Sequence, residues 1–190
     1  MHPMPFSEIT WQDVQQLADD GRRHEAIGGD LHVTPPPSVL HQTISGHLYR
    51  ALYDLLEARG HGRVWTAPIG VEFPETREGV QPDLVFVSES RLSIVGEDGI
   101  RGAPDLVVEI LSPSTRPRDR DIKRKLYLAR GVAEYWVVDP EAEQVEVWRT
   151  GATSGASDPE RHVDRLPVRV AGEPVGRIDL HGLFGEARQV

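Results

Sequence analysis

Three short runs of this chain are apolar almost without interruption: Leu-Val-Phe-Val at 84–87, Leu-Val-Val-Glu-Ile-Leu at 106–111 and Tyr-Trp-Val-Val at 135–138. A strand with one wet face alternates apolar and polar residues; a strand covered on both faces does not. Three such strands in 190 residues demand a central sheet with a layer on either side. Helix signals lie around them. Residues 10–21 read as a short capped helix. Residues 38–59 read as a long one capped by Ser38, with His41, Ile44, Leu48, Leu52 and Leu55 facing inward. Residues 112–130 read as a third, ending at Gly131, with Ile122, Leu126 and Ala129 as its core stripe. Residues 24–33 look like a hairpin turning at Gly28-Gly29, and 63–67, 69–73 and 144–149 like further strands. The pattern predicts an α/β fold, a mixed β-sheet core flanked by α-helices, in one domain over residues 1–190. Its core is expected over 8–186, with a polar, mobile loop over 150–165.

Composition narrows the chemistry. There is no cysteine, which excludes disulfides, thiol nucleophiles and Cys-ligated zinc. No apolar stretch approaches the roughly 20 residues of a membrane span, and the first residues lack a basic-then-apolar leader pattern, so a cytoplasmic protein is expected. The net charge of −9 argues against a surface that binds polyanions everywhere. Residues 116–125 (RPRDRDIKRK) are the exception, with six basic and two acidic side chains. Arg116, Arg118, Arg120 and Arg124 of this segment are therefore the expected nucleic-acid contacts. The chain's only lysines, Lys123 and Lys125, also lie here against 19 arginines, either through a coding bias toward Arg or because one site needs a compact ammonium.

A carboxylate inside an apolar strand is costly unless a cation or hydrogen bonds compensate it. Glu109 is the clearest case, and Asp83, at the head of Leu-Val-Phe-Val, is the second. Two such groups on neighbouring strands make a hard-oxygen site suited to Mg²⁺ or Mn²⁺. Asp105 lies on the same strand as Glu109 but roughly 13 Å along it, too far to share an ion. On the following helix Asp119, Lys123 and Tyr127 recur at four-residue intervals and share a face, whereas Lys125 points to solvent. Lys123 either serves the two carboxylates or pairs with Asp119 on the helix surface. Ser112 and Ser114 read as helix caps rather than nucleophiles.

The run PDLVVEILSPSTRPRDRDIKRKLYLARGVAEYWVVDP strongly resembles the Uma2 family of putative restriction endonucleases. HEAIGGDL, the Pro-rich stop before His41 and Gln81-Pro82-Asp83-Leu84-Val85 look like the same family. The resemblance implies the PD-(D/E)xK nuclease scaffold, with Asp83 and Glu109 as metal carboxylates and the Ile110 carbonyl as a third ligand. The lysine of the superfamily pattern, two residues after the Glu, is Leu111 here; the resemblance moves its role to Lys123. It also marks Glu25 and His41 as site residues, against simpler readings as a hairpin carboxylate and a core-facing histidine. The implied activity is Mg²⁺-dependent endonucleolytic hydrolysis of DNA, with a homodimer as the expected assembly. The alternatives are a catalytically silent nucleic-acid-binding or accessory protein on the same scaffold, or a hydrolase acting on something else.

Overall fold

The apolar runs form the middle of a six-stranded sheet. A computed structural model of the chain describes residues 8–113, 115–150 and 158–188. Its elements begin with helix α1 (Trp11–Gln15), the hairpin β1 (Arg23–Ile27) and β2 (Asp30–Thr34), and helix α2 (Val39–Leu52). Strands β3 (Gly62–Thr66), β4 (Val71–Phe73), β5 (Glu78–Val80) and β6 (Leu84–Ser88) follow. Two short strands, β7 (Val95–Gly96) and β8 (Gly99–Arg101), precede β9 (Leu106–Ile110). Helix α3 (Arg124–Ala129) then leads to β10 (Glu134–Asp139), β11 (Gln144–Arg149), β12 (Glu160–His162), β13 (Arg165–Val170), β14 (Glu173–Asp179) and helix α4 (Leu180–Ala187).

The central sheet has the order β12-β11-β10-β9-β6-β3 and is mixed: β9 and β10 run parallel, and β6–β9 and β10–β11 are antiparallel. Both of its faces are covered, as the unbroken apolar runs require. On one face Phe86, Val108, Ile110, Trp136 and Val138 pack with α2, α4 and the β13–β14 hairpin. On the other, Val85, Val107, Tyr135 and Val137 meet Leu126 and Tyr127 of α3 and Val71, Phe73 and Val80 of a second sheet. That second sheet has the order β2-β1-β5-β4-β8-β7 and carries the β1–β2 hairpin that turns at Gly28-Gly29.

Both long helices contain a wider turn, which moves their buried faces from where an ideal period puts them. After α2 the turn is Tyr53–Glu57, so Leu56 becomes fully buried and Leu55 only partly so. Before α3 it is Arg118–Lys123. The expected stripe Ile122, Leu126 and Ala129 is corrected: Ile122 is 40% exposed, Ala129 faces solvent, and the buried face is Asp119, Lys123, Leu126 and Tyr127. The first helix is shorter than read, five residues held by a Thr10–Asp13 capping box. Within the loop expected at 150–165, residues 151–157 lie outside the described residues, and Glu160–His162 pairs with β11. Ser114 also lies outside them.

Candidate active site

Strand register brings the two carboxylates together. Leu84 of β6 pairs with Val108 of β9, so one step beyond that pair stand Asp83 and Glu109, on the face that carries Val85 and Val107. Each is 3% exposed, and both line a cavity of about 200 Å³. Asp83 is held by three donors. Arg23 Nη1 donates to Oδ1 at 2.6 Å, the Ile110 amide donates to Oδ2 at 2.8 Å, and His41 Nε2 lies 3.1 Å from Oδ2. Ile110 is thus seen in the site through its N–H.

The wider turn Arg118–Lys123 and α3 after it supply the rest. Lys123 Nζ donates to Glu109 Oε1 at 2.8 Å and lies 2.8 Å from Glu25 Oε1, with Asp119 Oδ1 at 3.8 Å. A surface pair with Asp119 alone is therefore excluded: Lys123 is 2% exposed and is nearer the other two carboxylates. Lys125 behaves as expected, exposed and paired with Asp121. Tyr127 Oη donates to the same Glu109 oxygen at 2.8 Å, one helical turn beyond Lys123. Glu25, on β1, accepts the Gln81 amide at 2.9 Å.

Four buried carboxylates, Glu25, Asp83, Glu109 and Asp119, face three permanent cations, Arg23, Arg118 and Lys123. Their protonation divides accordingly. Burial alone would raise Asp83, but the His41 hydrogen bond, the charges of His41 and Arg23 and the Ile110 amide outweigh it and hold the carboxyl at about 2. Burial is also the largest influence on Glu109; Lys123 opposes it, but Asp119, Asp83 and Glu25 add to it, and the group is pushed up to about 8. Burial would lower Lys123, yet Glu109, Glu25 and Asp119 reverse that and raise it. These two directions pull against each other, because a raised Lys123 presupposes an ionised Glu109. The ammonium has three acid neighbours and keeps its charge. Glu109, crowded by like charges, is the group that gives its charge up. Asp119 is raised as well, chiefly by burial.

The arginines of the basic segment are mostly committed elsewhere. Arg116 pairs with Asp139 at 2.8 Å and Glu141 at 2.7 Å, Arg120 with Asp139 at 2.9 Å and Glu146 at 3.5 Å. Arg124 lies 4.5 Å over the Trp148 ring. The sequence surplus of positive charge is largely neutralised by β10, β11 and the turn between them. Of the four arginines only Arg118 lines the cavity, where it donates to Thr34 and its Nε has no hydrogen-bond partner among the described residues.

The structure adds Arg23, Tyr127 and Asp119 to the residues read from sequence. Arg23 had a signal: it stands two residues before Glu25 on one strand and so shares its face. Tyr127 and Asp119 were already in phase with Lys123. Thr34 carried no signal.

The donor set fits a hard divalent cation. Among the described residues no three His, Cys, Asp or Glu side chains converge into a complete metal cage. Two carboxylates with acid in excess suit an ion that keeps several water ligands, such as Mg²⁺ or Mn²⁺, and not zinc with its three or four nitrogen and sulfur ligands. Among the described residues the oxygens Glu25 Oε2 and Asp119 Oδ1 have no hydrogen-bond partner, only cations at 3.8–4.0 Å.

A family model, "Uma2: Putative restriction endonuclease", matches residues 11–173. Among solved structures the chain is similar to the crystal structure of a putative nuclease belonging to DUF820 from Anabaena variabilis. The two are 20% identical with a TM-score of 0.77, over 94% of this chain and 99% of that one. At that identity the likeness speaks for the fold, an α/β arrangement of mixed sheets and helices. No curated protein matches the chain.

Proposed function

The chain belongs to the Uma2 family, and from that premise we propose that it is a metal-dependent endonuclease hydrolysing phosphodiester bonds in DNA. The observation that carries this reading is the juxtaposition of Asp83 and Glu109 on adjacent strands with an ammonium 2.8 Å from Glu109. Asp83, Glu109 and the Ile110 carbonyl would be the protein ligands for Mg²⁺, or Mn²⁺ in its place. When bound, the ion supplies Lewis acidity toward the phosphate and a water of lowered pKa. The chain's own residues do the rest. Lys123 orients the nucleophilic water and stabilises negative charge gathering on the phosphate oxygens. Glu25 and Tyr127 hold the ammonium and the Glu109 carboxylate in place. His41 fixes Asp83 Oδ2, and Arg23 sits on Oδ1. Arg118, whose Nε has no hydrogen-bond partner among the described residues, binds the phosphate.

Cleavage of plasmid and linear DNA in Mg²⁺ or Mn²⁺ tests the reading. Activity should vanish on chelation and in Asp83→Ala; cleavage that survives both excludes this site as the catalytic centre. Binding discriminates among the arginines. Arg118→Gln should weaken DNA affinity and lower the salt slope by about one contact. Arg116→Gln and Arg120→Gln should leave that slope unchanged, since both guanidiniums hydrogen-bond Asp139 away from the cavity, whereas the carboxylates nearest Arg118 are 4.0 Å away. Equal losses from all three would return the contact surface to the outer face of the helix.

A further inference from the structure

Arg23 stands where two cavities meet. It lines the site cavity with Asp83 and Glu109, and it also lines a larger groove, about 600 Å³, that shares Pro35–Pro37 with the site cavity and includes Gln42 and Gln81. Among the described residues its guanidinium makes two hydrogen bonds: Nη1 donates to Asp83 Oδ1 at 2.6 Å and to the Gln81 carbonyl at 3.2 Å. Only the first is an ion pair.

The acceptor capacity of Asp83 makes that pair consequential. Oδ2 already serves the Ile110 amide and His41. A carboxylate oxygen has two lone pairs, so the oxygen with room for another partner is Oδ1, and the Arg23 guanidinium sits on it. A divalent cation using Asp83 must share Oδ1 with a positive charge or displace it. A phosphodiester brought to the cavity offers the guanidinium a new anionic partner, and the adjoining groove gives the side chain space to turn.

We propose that Arg23 is an intramolecular counter-ion latch: it occupies Asp83 in the metal-free protein and transfers to the substrate phosphodiester, so that cation and phosphate load together. This rests on Asp83 being a cation ligand, as proposed above. The coupling follows from linkage. If Arg23 opposes the cation and the phosphate removes Arg23 from Asp83, each ligand strengthens the other's binding by the same factor. The free protein then holds its cation weakly.

Calorimetric titration with Mn²⁺ tests the latch without requiring turnover, using dimethyl phosphate as the phosphodiester probe. In the wild-type protein dimethyl phosphate should tighten Mn²⁺ binding about tenfold, within the usual range of coupling. Arg23→Gln, which removes the competing charge, should bind Mn²⁺ about tenfold more tightly than wild type and show no effect of the phosphate. Wild-type Mn²⁺ affinity unchanged by dimethyl phosphate overturns the proposal, as does an Arg23→Gln affinity equal to or weaker than wild type. The wild-type titration needs no variant, so absence of coupling overturns the latch even if Arg23→Gln fails to fold. Absence of Mn²⁺ binding in both proteins, with and without the phosphate, would overturn the latch together with the assignment of Asp83 as a ligand. Mn²⁺ binding without coupling would overturn the latch alone.

Discussion

Lys123→Ala should destabilise the protein by about 3–5 kcal/mol and abolish cleavage, whereas Lys125→Ala, the same change two residues on, should move stability by less than about 0.5 kcal/mol. The physical difference is burial and partnership. Lys123 is buried with Glu25 and Glu109 each 2.8 Å from its ammonium. Removing it strands like charges that cannot reach water. Lys125 is exposed, and its ion pair with Asp121 is screened. Urea unfolding of both variants measures the first effect, and cleavage in Mn²⁺ the second, for which a loss of at least about 10²–10³-fold is expected. A Lys123→Ala protein within about 1 kcal/mol of wild type would show that the carboxylates do not depend on this cation.

Glu109→Gln should give the opposite combination, a well-folded but inactive protein. Glu109 is pushed up to about 8, chiefly by burial, so the folded state favours its protonated form. The amide has nearly that shape and no charge. A carboxyl raised on folding contributes its stability fully below its ordinary value of 4.5, and the contribution drains away as pH rises toward 8. Wild-type stability should therefore decline across that window, and Glu109→Gln, which cannot titrate, should lack this component of the slope. Relative to wild type the variant should gain with pH. Urea midpoints of both proteins on the acid and alkaline sides of the window test the sign. A variant that falls further behind as pH rises would mean that Glu109 is ionised in the folded protein. Activity should be lost at every pH, because an amide is a poor substitute for an anionic ligand of a hard cation.

Much of the site was legible from residue pattern. Glu109 in Leu-Val-Val-Glu-Ile-Leu and Asp83 at the head of Leu-Val-Phe-Val are conspicuous because an apolar strand gives a lone charge no shelter. The four-residue recurrence of Asp119, Lys123 and Tyr127 identified a helix face, and that face is buried on Glu109. The same periodicity failed at Ile122 and Ala129, where a wider turn over Arg118–Lys123 shifts the phase. Local charge also misled. Six basic residues in ten look like a polyanion surface, but Asp139, Glu141 and Glu146, which neutralise Arg116 and Arg120, lie 19 or more residues along the chain from the arginines they meet.

The sequence by itself determined that the central strands are covered on both faces, that two carboxylates are embedded beside them, and that one of only two lysines shares their helix face. These are local facts, set by apolar periodicity and by the cost of burying charge. Tertiary structure decided which charges meet. The register of β6 against β9 sets Asp83 beside Glu109, the β1 strand brings Arg23 onto Asp83 and Glu25 onto Lys123, and the β10–β11 region takes the helix arginines out of play. Ion pairing depends on distances of a few ångströms between residues up to 98 positions apart, as Glu25 and Lys123 are. No spacing along the chain encodes that; the packing of the two sheets and the helix above them does.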